Sequence, residues 1–214
     1  MARLLITSGP TRQYLDPVRY LTNASSGKMG RALCQAALQR GHQVTIVSGP
    51  VCLTYPDEAT VIPVISTEDM LQATREQFEQ CDLLIGAAAP CDYRPRKVAT
   101  EKISKTGAPL SLVLEETPDV VATMGAIKRP GQFVVGFALE TDDHRFRALV
   151  KAERKSCDLM ILNRPTAMNA DDNDVEVLHP DGRVLDRLTG SKLSVAQGIL
   201  AVIERDLLGV SSPH

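Results

Sequence analysis

The side chains with the most chemical potential in this chain crowd into residues 16–30, DPVRYLTNASSGKMG. The stretch follows an apolar run at 2–8 and leads into GRALCQAALQRG, whose apolar residues recur at helical spacing. We therefore predict a strand, a long loop and a helix that opens on Ser-Ser-Gly at 25–27. The N-terminus of such a helix binds anions, because its first backbone N–H groups have no partner within the helix. A capped helix after a long connection has the same composition, and glycines alone do not separate the two interpretations.

The number of polar side chains in this stretch favours a binding site. Guanidinium, ammonium, amide and hydroxyl groups all donate hydrogen bonds to phosphate or carboxylate oxygens. A structural ion pair with Asp16 is the alternative for Arg19, because exposed pairs of this kind are common. The candidates are Asp16, Arg19, Asn23, Ser25, Ser26, Gly27 and Lys28.

Composition excludes several classes of protein. Apolar residues make up 43% and charged residues 23% of the 214 residues, which is typical of a globular protein and predicts one domain over residues 1–214. A net charge of −2 and the absence of Trp argue against a nucleic-acid binder, and no membrane-spanning run or signal peptide is visible. Five cysteines without CxxC spacing indicate a reducing compartment, so we expect a cytoplasmic location. The four histidines lack metal-ligand spacing, and no protein-held metal site is predicted.

Apolar strands alternate with helical patterns, which predicts an α/β fold: a doubly wound, Rossmann-like, mostly parallel sheet. Continuous apolar runs indicate strands buried on both faces, and Pro63 places its own strand at a sheet edge. An Asp-Gly turn at 181–182 predicts a small antiparallel hairpin extension at about 163–188. The predicted strands cover residues 2–8, 42–48, 61–65, 82–88, 110–116, 132–138 and 158–163.

Capping residues mark the predicted helix starts. Ser66 with Asp69 forms a capping box for a helix to about residue 80. Thr117 followed by Pro118 predicts a second start, with proline in the first turn. Thr141 predicts a third, and a final amphipathic helix covers about 191–208.

Polar loops follow four of the predicted parallel strands, at residues 9–28, 89–105, 139–143 and 163–173. Ligands bind such sheets at the carboxyl ends of the strands, so we expect these loops to form one bowl-shaped site. The second loop continues to about residue 109 and is polar, basic and proline-bearing. We interpret this segment, about 89–109, as a flap.

Cationic side chains dominate the candidate site. The sequence offers no Ser–His–Asp set, Cys–His pair or paired catalytic carboxylates, whereas nucleotidyl transfer needs mainly positioning and charge stabilisation. A nicotinamide-dependent oxidoreductase is the weaker alternative, because GxGxxG is absent and the strand at 42–48 ends without a ribose-binding acid. The cations are Arg19, Arg94, Lys97, Lys102, Lys105, Lys151 and Lys155.

Six motifs occur in order along nearly the whole chain: TSGPTR with LDPVRYLTNASSGKMG, AAAPCDYRP, EKISK, TPDVVA, VVGFALET and a Lys-x3-Lys pair before CDLMILN. Together they resemble the phosphopantothenoylcysteine synthetase family of coenzyme A biosynthesis. The resemblance implies that 4′-phosphopantothenate reacts with CTP to give an acyl-cytidylate and pyrophosphate, and that L-cysteine then displaces CMP. It also implies Mg²⁺ on the triphosphate, a homodimer, and a separate or fused flavin-dependent decarboxylase. The chain resembles a stand-alone synthetase or an excised synthetase domain.

The resemblance implies roles by position. Lys102 matches a lysine that contacts the triphosphate, and Lys105 keeps the last lysine of that motif although Ser104 replaces another. Asn23 matches an asparagine that handles the acyl group, with Arg19 in support. A non-catalytic relative would be expected to lose such residues, whereas Asn23 and Lys102 are retained.

A nucleotide-binding turn is also implied. Small residues at 88–89 let a base approach the backbone, while Pro90, Cys91 and Thr117 depart from the residues usual in the family. Without the resemblance, Phe137 would be as typical of a buried core as of a nucleotide contact. The cations at 151 and 155 would fit the C-terminus of a helix better than a ligand site, and the resemblance reverses that order. The implied nucleotide-side residues are Ser25, Ser26, Gly27, Lys28, Ala88, Ala89, Asp92, Lys105, Pro118, Phe137, Lys151 and Lys155.

Overall fold

Strands and helices alternate as predicted in the computed structural model, which describes residues 1–139, 143–163 and 172–209. The helices are α1 (Lys28–Gln39), α2 (Thr67–Phe78), α3 (Val120–Ile127), α4 (His144–Arg154) and α5 (Lys192–Asp206). The strands are β1 (Arg3–Ser8), β2 (Arg12–Tyr14), β3 (Tyr20–Thr22), β4 (Gln43–Ser48), β5 (Thr60–Pro63), β6 (Leu83–Gly86), β7 (Tyr93–Pro95), β8 (Leu114–Glu116), β9 (Phe133–Leu139), β10 (Leu159–Asn163), β11 (Asp172–Leu178) and β12 (Val184–Ser191).

Eight of the strands form one sheet in the order β12-β11-β10-β9-β6-β1-β4-β5. The strands from β10 to β5 pair in parallel, and β11 and β12 pair antiparallel. The predicted α/β fold with a mostly parallel sheet is therefore confirmed. From β1 the chain adds β4 and β5 on one side and β6, β9 and β10 on the other, which leaves a crevice above β1 and β6.

Both faces of the sheet are covered. Leu4 and Ile6 of β1 pack with α1 and α5, whereas Leu5 packs in the cluster that contains α2, α3 and α4. Double-sided burial explains why the central strands are continuous apolar runs. Pro63 lies in β5 at the edge of the sheet, where its missing N–H costs no sheet hydrogen bond.

The predicted hairpin completes the main sheet instead of extending from it. β11 pairs with β10, and β12 pairs with β11. β12 therefore runs in the same direction as β10. As a result α5, like α1, begins at the carboxyl ends of the parallel strands, and the two helices pack together. Residues 164–171 of the predicted hairpin region lie outside the described residues.

Two short hairpins include strands that the sequence did not predict. β2 pairs with β3 in the loop after β1, and β7, in the flap segment, pairs with β8, which follows that segment. The strand predicted at 110–116 is correct only at Leu114–Glu116, and it pairs with β7 and not in the main sheet. Its apolar residues are exposed, so an apolar run here did not indicate burial.

Helix starts agree with the prediction only in part. α2 has the predicted capping box of Ser66 and Asp69. In α3 the Asp119 side chain accepts a hydrogen bond from the backbone N of Ala122 at 3.0 Å, so Asp119 is the cap and not Thr117. The predicted cap Thr141 lies outside the described residues, and α4 begins after Asp143.

Helix α1 passes directly over the end of β1. A Cβ atom at Gly30 would lie 2.1 Å from Ser8 Oγ and 2.5 Å from Ser8 Cβ, so this approach requires glycine. The contact fixes the N-terminus of α1 above the carboxyl end of the strand.

Candidate active site

Two pockets open above the crevice between β1 and β6. The larger, which we call the α1 pocket, has a volume of about 510 Å³ and extends from the loop before α1 to the start of α5. The smaller, the α3 pocket, has a volume of about 330 Å³ and reaches the start of α3 and the end of α4. The two pockets meet at Ala88, Pro90, Asp92 and Phe137, which line both.

The α1 pocket contains an open helix N-terminus, as predicted. Gly27 is the N-cap residue in the left-handed conformation (φ 73°, ψ 0°), and no described side chain caps the helix. The backbone N–H groups of the first turn therefore face the pocket without a side-chain acceptor. Ser25, Ser26 and Lys28 line the same pocket, so hydroxyl and ammonium donors surround the helix N-terminus.

A chain of hydroxyl groups is hydrogen-bonded to the backbone carbonyl oxygen of Gly27. Ser8 Oγ donates to the carbonyl oxygen of Gly27 at 3.3 Å, and the Tyr55 hydroxyl donates to Ser8 Oγ at 2.9 Å. Ser48 Oγ lies 2.8 Å from the Tyr55 oxygen and completes the chain. Each hydroxyl has one proton, and that of Ser48 is shared between the Tyr55 oxygen and the carbonyl oxygen of Gly49 at 2.9 Å. The bonds from Tyr55 to Ser8 and from Ser8 to Gly27 give the loop before α1 a defined position.

The Asn23 amide joins this loop to the turn after β6. Its Nδ2 atom lies 2.8 Å from the carbonyl oxygen of Pro90 and 3.3 Å from that of Ala89. Two carbonyl acceptors require the nitrogen on this side, which leaves Oδ1 turned away from the turn. Asn23 therefore holds the turn with its donor groups and offers an acceptor to the α1 pocket.

Threonine hydroxyls fix the backbone of the turn at Cys91. Thr11 Oγ1 accepts a hydrogen bond from the backbone N of Cys91 at 2.8 Å, and Thr67 and Thr117 donate to its carbonyl oxygen. Thr117, which departs from the residue usual in the family, therefore has a structural role: its Oγ1 atom lies 2.5 Å from the carbonyl oxygen of Cys91. Burial raises the pKa of the Cys91 thiol, which argues against a nucleophile.

The α3 pocket has an apolar wall and a charged rim. Phe137 is half-buried at the junction with the α1 pocket, and Pro118 lies opposite the turn. Lys155 Nζ lies 3.0 Å from Asp119 Oδ2, so the start of α3 and the end of α4 are joined by an ion pair. Lys151 lines neither pocket, although the resemblance pairs it with Lys155.

Asp16 and Arg19 connect the loop after β1 to residues 93–116, which we call the arm. The arm contains most of the flap segment together with β7 and β8. The fully buried Asp16 carboxylate accepts hydrogen bonds from Arg19 Nε at 2.9 Å and from the backbone N of Ile103 at 3.1 Å. Arg19 Nη2 donates to the carbonyl oxygen of Ile103 at 2.6 Å. The ion pair considered for Arg19 is therefore present, and both backbone polar groups of Ile103 are held.

The arm lysines stay outside both pockets. Lys102 and Lys105 are exposed and line neither the α1 nor the α3 pocket. Arg19 also lines neither pocket. The structure therefore brings most predicted site residues together, but it leaves Arg19, Lys102, Lys105 and Lys151 beyond the cleft.

Residues 1–207 match the family model described as the DNA/pantothenate metabolism flavoprotein C-terminal domain, DFP. The chain belongs to this family. The coenzyme A biosynthesis bifunctional protein CoaBC of Vibrio vulnificus strain YJ016 is 41% identical over 207 residues, which cover 94% of the chain and 51% of that protein. The chain thus spans about half the length of the curated relatives that it matches.

Solved structures agree with the family assignment. A crystal structure of the C-terminal domain of CoaBC has a TM-score of 0.81 and 34% identity, and the match covers 97% of the chain and 96% of that domain. A Cab2 variant in complex with phosphopantothenate-cysteine shares the fold, with a TM-score of 0.82 at 19% identity over 95% of the chain and 86% of Cab2. The resemblance to phosphopantothenoylcysteine synthetase is confirmed at the level of the CoaBC C-terminal domain.

Three residues of the α1 pocket were not named in the sequence analysis, although two of them, Asn163 and Asn173, lie in the polar loop predicted at 163–173. Asn163 ends β10, and its Oδ1 atom is buried with no hydrogen-bond partner among the described residues. Its place at the end of an apolar run was a usable signal. Asn173, near the start of β11, lies at the end of the same predicted loop. Lys192 begins α5 after an antiparallel strand, so the rule that ligands bind at the carboxyl ends of parallel strands does not point to it.

Metal ligands of the usual protein kind were not found in the described part of the chain, where no group of three or more His, Cys, Asp or Glu residues is arranged to hold an ion. Asp92 is the one carboxylate among the described residues that line the α1 pocket. None of the described helices has the length and apolar character needed to cross a membrane.

Acid should weaken the Asp16 connection to the arm. Burial opposes ionisation of Asp16, but hydrogen bonds from Arg19 and from the backbone of Val18, Arg19 and Ile103 hold the pKa of this carboxyl well below its ordinary value of 3.8. A carboxylate with a lowered folded-state pKa stabilises the native state above the ordinary value, and this contribution is lost as the pH falls below it. We expect the difference in unfolding free energy between the unaltered protein and Asp16→Asn to shrink between pH 7 and pH 2.5.

Urea unfolding at both pH values measures this difference. Other carboxylates with lowered pKa values, such as Asp181, are common to both proteins and cancel. A difference that is the same at both pH values would show that Asp16 is not the titrating group.

Proposed function

We propose that this chain is a CTP-dependent phosphopantothenate–cysteine ligase. In the first step, the carboxylate of 4′-phosphopantothenate attacks the α-phosphate of CTP, the bond to pyrophosphate breaks, and an acyl-cytidylate forms. In the second step, the amine of L-cysteine attacks the acyl carbonyl, CMP leaves, and the amine loses a proton. Both steps build negative charge on oxygen atoms and need positioned donors more than a protein nucleophile.

The observation that carries the proposal is the meeting of the two pockets beside an open helix N-terminus. A nucleoside in the α3 pocket would direct its phosphates past Ala88 and Asp92 towards Gly27. An acyl group in the α1 pocket would then reach the α-phosphate at the junction. The family assignment supports this use of the site, and the geometry supplies separate places for the reacting groups.

The α3 pocket fits a pyrimidine nucleoside. Phe137 and Pro118 offer apolar surface to a ring, and the small side chains at 88–89 let it approach the backbone. Lys155 and Asp119 at the rim provide a donor and an acceptor, which match the carbonyl and amino groups of cytosine. These contacts are the basis for proposing CTP as the preferred nucleotide.

The α1 pocket fits phosphates and the acyl group. The first turn of α1 has open backbone N–H groups, and Ser25, Ser26 and Lys28 surround them. Asn23 Oδ1 is turned away from the 89–90 carbonyls, so it can accept a hydrogen bond from the cysteine amine as that amine approaches. Lys102 would have to move with the arm about Ile103 to reach the triphosphate.

Magnesium would supply neutralisation of charge on the departing pyrophosphate. The ion prefers oxygen ligands and is bound through one or two protein groups together with substrate phosphates. Asp92 and Asn163 line the α1 pocket and have oxygen ligands of this type, and the Asn163 Oδ1 atom is buried with no hydrogen-bond partner among the described residues. We propose that these two residues hold the ion with the triphosphate.

The proposed reaction is tested by nucleotide-dependent pyrophosphate release in the presence of phosphopantothenate. CTP and ATP are compared, each with and without cysteine, and the amide product is identified by mass spectrometry. We expect release with CTP, slower release with ATP, and product only when cysteine is present. Equal or faster turnover with ATP would contradict the proposed nucleotide preference.

Variants should separate the two half-reactions. Lys102→Ala removes a cation from the charge that develops at the α-phosphate, so acyl-cytidylate formation should slow by about a hundredfold. Asn23→Asp places a carboxylate oxygen against the carbonyls of Ala89 and Pro90 and adds a negative charge where the amine attacks. The first step should survive in part while the acyl-cytidylate accumulates.

Pyrophosphate release and mass-spectrometric detection of the intermediate are measured for both variants with cysteine present. Because Lys102 is exposed, the thermal unfolding of Lys102→Ala is expected to match that of the unaltered protein. Asn23→Asp loses two hydrogen bonds to the turn, so its thermal unfolding is measured to establish that it is folded at the assay temperature. Equal loss of pyrophosphate release in both variants, without accumulation of the intermediate, would rule out this division of roles.

We also propose that the active form is a homodimer, with the arm at the interface. β7 and β8 form a two-stranded sheet, which is marginally stable in water without further packing. Leu112, Val113 and Leu114 are all exposed, and Val98 and Leu110 are exposed on the same arm. An unpaired strand edge with apolar residues favours pairing with a second copy of itself across a twofold axis.

Val113→Lys is expected to produce monomers, because it places a charge on an apolar residue that is 59% exposed in the single chain. Val61→Lys is the matched control, since Val61 is 40% exposed on β5 at the far edge of the main sheet. Light scattering at assay concentration measures the mass of each variant. A monomeric, fully active unaltered protein would exclude the dimer.

The cellular context follows from the proposed reaction. The relatives are named as bifunctional proteins, and we propose that a flavin-dependent decarboxylase, fused or separate, consumes the product. The five cysteines are free thiols, which fits the cytoplasmic location expected from the sequence.

A further inference from the structure

Lys192 lies in the α1 pocket at the first residue of α5. Its Nζ atom donates to Asn173 Oδ1 at 2.7 Å, and both residues line the pocket. Asn173 is only 7% exposed, so the acceptor that holds the ammonium group is itself buried. A buried amide directed at a lysine fixes the position of the charge, which is unusual for a lysine on a surface helix.

The fold places this lysine opposite the start of α1. β12 runs parallel to β10, so α5 begins at the carboxyl ends of the parallel strands, where α1 also begins. The two helices pack side by side. Lys28, Arg31 and Lys192 line a small adjoining pocket of about 190 Å³ between the two helix starts. Lys28 and Lys192 thus line one end of the α1 pocket at the starts of the two helices, and Arg31 adds a third cation in the adjoining pocket.

We propose that Lys192 binds a phosphate group of a substrate in the α1 pocket, with Asn173 as its positioning residue. The identity of that substrate rests on the proposed function: the phosphate is either the terminal phosphate of CTP or the 4′-phosphate of phosphopantothenate. Both are dianionic phosphate oxygens, which a lysine binds as a compact point charge. The end of the pocket far from Phe137 is where a phosphate remote from the nucleoside would lie.

Pyrophosphate binding measured by titration calorimetry tests the proposal without any reaction. Lys192→Met is expected to weaken binding about tenfold, the loss typical of one charge-assisted hydrogen bond. Lys192→Arg should restore most of the affinity. Arg75→Gln removes the same charge from an exposed position in α2 and should leave binding unchanged.

Asn173→Asp tests the positioning role. The side chain keeps its size and its contact with Lys192, but the new carboxylate neutralises the ammonium, so pyrophosphate binding should weaken as in Lys192→Met. Equal affinity of the unaltered protein, Lys192→Met and Asn173→Asp would overturn the proposal. Absence of measurable pyrophosphate binding by the unaltered protein would also overturn it.

Steady-state kinetics distinguish the two phosphates. In Lys192→Met, a KM that rises for CTP alone assigns the lysine to the triphosphate, and one that rises for phosphopantothenate alone assigns it to the 4′-phosphate. A fall in kcat with both KM values unchanged would contradict a binding role. If the unaltered protein makes no product, the proposed function fails, while the calorimetric result still decides whether Lys192 binds phosphate.

Discussion

The close approach of α1 to the end of β1 is the constraint on which the rest of the site depends. Gly30 lies against Ser8 where a Cβ atom would collide, so the helix N-terminus is held directly above the crevice in the strand order. Once α1 is there, the loop before it must turn at Gly27, whose left-handed backbone is readily adopted only by glycine. The same contact brings the Ser8 hydroxyl to the Gly27 carbonyl. Packing in the core thus decides where an anion can bind.

The buried Asp16 carboxylate joins the arm to the rest of the chain. A charge without water is tolerable only when its lone pairs are occupied, and here the Arg19 side chain and the backbone groups of Val18, Arg19 and Ile103 occupy them. Ala99 adds a backbone hydrogen bond to Leu15 at 2.9 Å. The flap segment is therefore connected at defined points, although its apolar residues face solvent. Electrostatics, not a hydrophobic core, sets its position.

Local signals in the sequence were sufficient for the main sheet and much of the cleft. Apolar runs located the central strands because both faces of the sheet are covered, and the capping box at Ser66 was visible within four residues. The three-residue strand β7 is too short to leave a period, and although the strand predicted at 110–116 contains β8, no local pattern indicates that it pairs with β7. Asp119 caps α3 in place of Thr117, a choice between adjacent capping residues that spacing does not decide. Lys192 reaches the site only because β11 and β12 reverse direction, which depends on the tertiary fold.

The hydroxyl chain from Ser48 through Tyr55 and Ser8 to Gly27 also affects the thermodynamics of binding. These bonds form when the chain folds, so the conformational entropy of the loop before α1 is lost before any ligand arrives. The arm is different, because Lys102 is exposed next to a single held residue and must lose side-chain freedom on contact with a ligand. The cleft around α1 is therefore preorganised, whereas the arm outside it is compliant. Ligands that occupy only the cleft bind with a smaller entropic penalty than ligands that also recruit the arm.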